Sequence, residues 1–136
     1  IDQEVGLVVK TSLKNNSIVD REYTEQMIRS IASNYEDRKC KVYLLHGDIN
    51  EKEMHSLYKH PQIKCLISLS HGEGFGLPLF EAAYSGLPII TSGWSGHVDF
   101  LYAPVKTKAK KNKNKEVKRA HFAEVDYTIG PKGFLP

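Results

Sequence analysis

Cysteine is scarce in this 136-residue sequence, and the two present do little to suggest a covalent or metal framework. Cys40 and Cys65 form neither a CxxC pair nor a zinc set, so a disulfide-stapled fold and a structural zinc site are unsupported. Buried free thiols in a reducing cytoplasm are the expectation. Long apolar runs are missing too, and nothing approaches the ~20 residues that span a bilayer. The six histidines contain no HExxH pattern, so no metal site is expected. No Walker A sequence exists. Gly93, Ser95 and Gly96 fall one position short of a GxSxG nucleophile elbow. GEGFG superficially suggests a dinucleotide fingerprint, but the third glycine of GxGxxG would fall on Leu77 or Leu79, which leaves NAD binding as a weak alternative. The chain begins at Ile1 without methionine or a secretory signal pattern, and it reads as a fragment or excised domain.

Charge is present but unevenly spread. Lys106 to Arg119 (KTKAKKNKNKEVKR) carries seven Lys and one Arg against one Glu, a local balance of +7, so the remainder carries −4 against the whole-chain +3. A run this poor in apolar residues is expected to be a solvated, mobile loop over 104–119. Its functional alternative is contact with an anionic membrane surface or a polyanionic acceptor, each exposed basic residue contributing ~1 kcal/mol near charged lipid. No aromatic residue interrupts it, so bases find no stacking platform and no specific nucleic-acid partner is expected.

The remaining residues alternate between strand and helix patterns. Val5 to Val9 is an apolar, β-branched run suited to a strand buried on both faces. After a polar connection, Met27, Ile28, Ile31, Ala32 and Tyr35 recur at helical spacing, which predicts an amphipathic helix over 24–35. Lys41 to His46 returns to strand. Asn50 followed by Glu53 has capping-box spacing and opens a helix carrying Met54, Leu57 and Tyr58, which Pro61 stops. Ile63 to Leu69 is the next strand, Ile89 to Thr91 a shorter one after Gly86 and Pro88, and Ser95 or Gly96 begins a short helix through Leu101. Phe122 to Ile129 adds a further strand. The alternation predicts an α/β fold with a doubly wound parallel sheet, whose ligands bind beyond the strand C-termini.

The segment between the third strand and its helix carries the chemistry. In SHGEGFGLPLFEAAYSGL (Ser70 to Leu87), Gly74 and Gly76 let backbone approach a ligand, Pro78 suits a first helical turn, and the unpaired amides of that turn attract an anion such as a diphosphate. Glu73 and Glu81 supply two acceptors for hydroxyl groups. A plainer reading is a tight strand-to-helix connection, with Glu81 favouring only the helix dipole.

Glu73 and Glu81, with GFGLPLFEAA between and around them, resemble the Glu-x7-Glu motif of GT-B-fold retaining glycosyltransferases of group 1. GLPIITSGWSGHVDFL (Gly86 to Leu101) resembles that family's next strand and glycine loop, and VYLLHGDINEKEMHSLY (Val42 to Tyr58) its strand, base-contacting loop and helix. The resemblance implies a Rossmann-like donor-binding half of a GT-B fold, made of residues 1–103 and 120–136, with an acceptor domain elsewhere. It implies transfer of a sugar from a nucleotide-diphosphate donor, with retention, to a saccharide, lipid or protein acceptor. It implies a catalytic Glu73 facing the donor sugar, Glu81 on the ribose, Gly47, Asp48 and Ile49 near the base, and His71, Gly74, Phe75, Gly76 and Leu77 around the donor. Phe75 and Leu77 read as packing residues whose backbone amides matter.

Helix-start amides stabilising the departing diphosphate imply no metal and no cofactor, in agreement with the absence of a DxD triplet. Lys10 and Lys14 are candidates for a diphosphate contact, left unassigned. The implied setting is cytoplasmic polysaccharide biosynthesis, peripheral to a membrane if the basic run binds one. The alternative is a nonenzymatic nucleotide- or phosphate-binding module whose basic loop recruits a polyanion.

Overall fold

The computed structural model describes residues 5–13, 16–107 and 115–128, and the chain divides into two compact units, Ile1–Asn50 and Glu51–Pro136. In the first unit, β1 (Gly6–Thr11) pairs in parallel with β2 (Lys41–His46), the register running from Gly6 opposite Lys41 to Thr11 opposite His46. The crossover is α1 (Ile18–Ser33). It starts six residues before the expected Thr24 because Ser17 and Asp20 form a capping box: the Ser17 hydroxyl accepts the Asp20 amide at 3.1 Å, and the Asp20 carboxylate accepts the Ser17 amide at 3.1 Å. Two orphan donors are thereby satisfied.

The inward face of α1 also differs from expectation. Thr24 is buried, with Ile28 and Ala32 half-buried one and two turns later, whereas Met27, Ile31 and Tyr35 are exposed. Thr24 tolerates burial because its hydroxyl donates to the Asp20 carbonyl at 2.8 Å. β1 is not covered on both faces: Gly6 to Val8 are exposed, and among the described residues β1 has a sheet neighbour on one side only.

The second unit contains α2 (Glu51–Tyr58), β3 (Leu66–Ser68), α3 (Leu77–Tyr84), β4 (Ile89–Ser92), α4 (Val98–Leu101), β5 (Tyr102–Thr107), β6 (Lys115–Ala120) and β7 (Ala123–Val125). Parallel strands run in the order β3-β4-β7, with β4 central. The predicted strand 63–69 contracts to three residues and the one over 122–129 to β7, with Ile129 outside the described residues. The core gathers Tyr58, Leu79, Ala82, Leu87, Ile89 and Leu101, with Met54, Ile63, Leu66, Phe100 and Phe122 packed against it. Full burial of a side chain such as Leu79 or Leu101 contributes about 1.5–3 kcal/mol, so this small cluster is what fixes α3 on the sheet.

The basic run is not a plain loop along its whole length. β5 and β6 are antiparallel, from Tyr102 opposite Ala120 to Thr107 opposite Lys115, and residues 108–114 lie outside the described set. A lysine-rich stretch carries no apolar alternation to mark a strand, so composition hid these strands. Both cysteines are free, Cys40 buried and Cys65 half-buried. No helix among the described residues is long and apolar enough to cross a membrane. Parallel sheets with strands and helices in alternation make this an α/β fold, consistent with a Rossmann-like half of a GT-B fold.

Candidate functional site

In the second unit, the connection from β3 to α3 holds His71, Glu73, Gly74, Phe75 and Gly76, and α3 itself holds Leu77 and Glu81. Gly76 is the N-cap of α3 at φ 82°, a left-handed conformation that glycine adopts without steric cost. No side chain caps the helix, and Pro78 lies in its first turn, where its missing N–H costs nothing. The first intrahelical bond recorded at this end runs from the Phe80 amide to the Gly76 carbonyl at 3.0 Å, so the amides before it have no partner one turn back. Backbone donors and the positive end of the helix dipole therefore coincide at Gly76 and Leu77, three to four residues past Glu73.

Glu73 is half-buried, and its backbone is held by the loop after β4. The Glu73 amide donates to Ser95 Oγ at 2.8 Å, the Ser95 hydroxyl donates to the Glu73 carbonyl at 2.8 Å, and the Gly96 amide donates to the same carbonyl at 3.0 Å. A Cβ on Gly96 would overlap the Gly74 carbonyl, so the two loops touch backbone to backbone. Nothing in the linear pattern joins Ser95 to Glu73, 22 residues earlier; only the parallel pairing of β3 with β4 brings their following loops together.

Glu81 is half-buried on α3, and its Oε2 accepts from the Tyr58 hydroxyl of α2 at 3.5 Å. Burial, then the Glu81 charge, then this hydrogen bond push the Tyr58 hydroxyl up to about 12. Tyr58 thus stays protonated beside the carboxylate. Its involvement escaped the sequence pattern because a tyrosine at a helical core position reads as packing alone.

The neighbouring side chains divide clearly. His71 is exposed. His97, which also lies beside a glycine loop, is only 1% exposed; its Nε2 is 2.8 Å from the Ser92 carbonyl and 3.4 Å from Thr91 Oγ1, so it braces β4 rather than facing solvent. Phe75 packs its ring 5.5 Å from Phe80 and 5.1 Å from Phe100 but remains half exposed. Leu77, expected to pack, is exposed.

In the first unit, Gly47, Asp48 and Ile49 follow β2 directly. Gly47 has φ 101°, its amide donates to the Thr11 carbonyl at 3.1 Å, and the Lys10 ammonium donates to its carbonyl at 2.6 Å. Asp48 accepts from the Asn16 side-chain amide at 2.6 Å. Lys10, considered for an anion, is thus engaged by the Gly47 turn, and Lys14 lies outside the described residues. A cavity of about 540 Å³ between α1 and β2, bordered by Arg21, Arg29, Arg38 and Tyr43, touches none of the candidate residues.

No curated protein and no solved structure matches the chain significantly. A family model does match residues 13–119, most of the chain's length, and the parallel sheets with alternating strands and helices are consistent with that assignment. The chain belongs to the family of glycosyl transferases group 1.

Proposed function

We propose that this chain is the donor-binding part of a retaining glycosyltransferase of the Glu-x7-Glu type, using a nucleotide-diphosphate sugar. The observation that carries the reading is the amino end of α3, opened by Gly76 without a side-chain cap, with Glu73 three residues before that cap. The diphosphate lies against the first-turn amides, Glu81 accepts from the ribose hydroxyls, and Glu73 faces the sugar. His71, Gly74, Phe75 and Leu77 border the donor.

As the bond from the anomeric carbon to the phosphate oxygen breaks, its electron pair passes to the diphosphate. The sugar becomes oxocarbenium-like, and fixed amides meet the growing negative charge without reorganising. An acceptor hydroxyl then bonds to the anomeric carbon from the face the diphosphate leaves, and its proton passes to the departing phosphate oxygen. In this reading the amides take the place of a metal, and transfer requires an acceptor-binding domain. Residues 1–103 and 120–136 form the donor-binding part, acting at the cytoplasmic side of polysaccharide synthesis.

Titration calorimetry with UDP and GDP, with and without chelator, tests the site. Weak binding indifferent to chelator is expected. Chelator-sensitive binding, or none at millimolar nucleotide with the domain folded, refutes it. Preference for the nucleotide sugar over the matching nucleotide diphosphate separates the transferase from a nonenzymatic phosphate-binding module.

A further inference from the structure

Glu73 sits in a stretch with little packing of its own. Gly72 and Gly74 flank it, both are exposed, and a Cβ added at Gly74 would meet nothing within 4 Å. What restrains its backbone is the loop after β4. We infer that Ser95 is a positioning residue for Glu73: its hydroxyl fixes the backbone from which the Glu73 carboxylate meets the donor sugar. This rests on the proposed role of Glu73.

Three observations support the assignment. One hydroxyl satisfies both polar groups of the Glu73 backbone, accepting from the amide and donating to the carbonyl at 2.8 Å each. That double engagement fixes the peptide planes on both sides of the Glu73 Cα, and with them the direction of its Cα–Cβ bond. Second, Ser95 holds φ 85°, a region that disfavours any residue with a Cβ. Glycine would enter it freely but would bring no hydroxyl, so the side chain occupies a position its backbone resists, a pattern that points to a functional constraint. Third, the adjoining Gly96 adds its amide to the same carbonyl and has no room for a Cβ against Gly74, which sets the distance at which the hydroxyl works.

Ser95→Gly removes the hydroxyl while easing the backbone, so it separates positioning from folding. In the complete enzyme, with UDP-glucose, UDP-galactose and GDP-mannose as donor probes, Ser95→Gly should lower kcat about 10- to 100-fold with the donor KM little changed, as expected for a misplaced reacting group. Melting temperature should hold or rise. Glu73→Gln should fall on the same scale, and the double variant should be no worse than Glu73→Gln alone, since Ser95 acts through Glu73. Amide exchange at Glu73 should quicken in Ser95→Gly. Unchanged exchange, or additive losses in the double variant, overturns the inference. A damaging Glu73→Gln beside a harmless Ser95→Gly overturns it alone, whereas a harmless Glu73→Gln overturns the proposed role of Glu73 and the inference together.

Discussion

The Tyr58 hydroxyl donates to Oε2 of Glu81 across 3.5 Å, so α2 orients a carboxylate carried by α3. Tyr58 is buried and keeps its proton to about 12 against an ordinary 10.0, through burial first and the Glu81 charge second. A hydroxyl whose value is raised on folding contributes stability that is intact below the unfolded value and lost as pH climbs through the folded one. Denaturant midpoints should therefore fall between pH 10 and 12, and Tyr58→Phe should flatten that limb. Glu81→Gln should lower the Tyr58 value, readable as earlier tyrosinate absorbance. A tyrosinate titration identical in the Glu81→Gln variant would contradict the coupling.

The two glutamates should separate by readout. Glu81→Gln keeps shape but weakens a charged acceptor, and should lose about 1–3 kcal/mol of nucleotide binding by calorimetry if the carboxylate receives the ribose. Glu73→Gln should leave that affinity nearly intact and impair turnover of the nucleotide sugar. Equal effects of both changes on nucleotide affinity count against the division of roles.

Gly96 and Gly93 make a second contrast. A Cβ on Gly96 meets the Gly74 backbone, which cannot swing aside, whereas one on Gly93 meets the Glu124 carboxylate at the end of a flexible chain. Gly96→Ala should cost about 1–3 kcal/mol or more by chemical denaturation, and Gly93→Ala clearly less. Adding Glu124→Ala should rescue Gly93→Ala in part, after allowance for the Tyr102 hydroxyl, which donates to that carboxylate at 2.9 Å. Equal losses at the two glycines would mean the loops have room to separate.

The basic hairpin should be separable from the donor site. Replacing residues 108–114 by Asn-Gly offers a two-residue turn to the pair Thr107 and Lys115. Nucleotide affinity should not change. If the full run binds anionic lipid, cosedimentation with phosphatidylserine vesicles should drop in the replacement and weaken steeply with salt, because exposed charges are screened within ~8 Å at physiological ionic strength. Vesicle binding unaffected by either would remove the membrane partner.

Local patterns made much of this architecture legible. Lys41 to His46 appears as β2 with both ends as expected, because a short apolar run between polar segments leaves little choice. α2 begins immediately after Asn50 and ends at Tyr58, ahead of Pro61. Where the reading failed, the deciding partner was remote or unconventional. Ser17 and Asp20 carried a start signal in plain sight, with aspartate in the place where glutamate is usual. Two stripes on α1 competed at the same period, and the one containing a threonine turned inward once its hydroxyl found the Asp20 carbonyl. Within the candidate site, the glycines and glutamates stood out as residue types; the Ser95 contact did not, since it exists only after β3 and β4 pair.

Tyr102 and Ala120 face each other where the hairpin begins, and the His121 amide donates to the Leu101 carbonyl at 2.9 Å. The chain thus departs and returns through a single doorway, and what lies beyond it bears little on the ends that form it. Loop closure grows only slowly with length, each doubling costing about 0.6 kcal/mol. Evolution can lengthen, recharge or exchange the excursion with little consequence for β4 and β7 on either side, and an engineer can splice a reporter domain through the same opening.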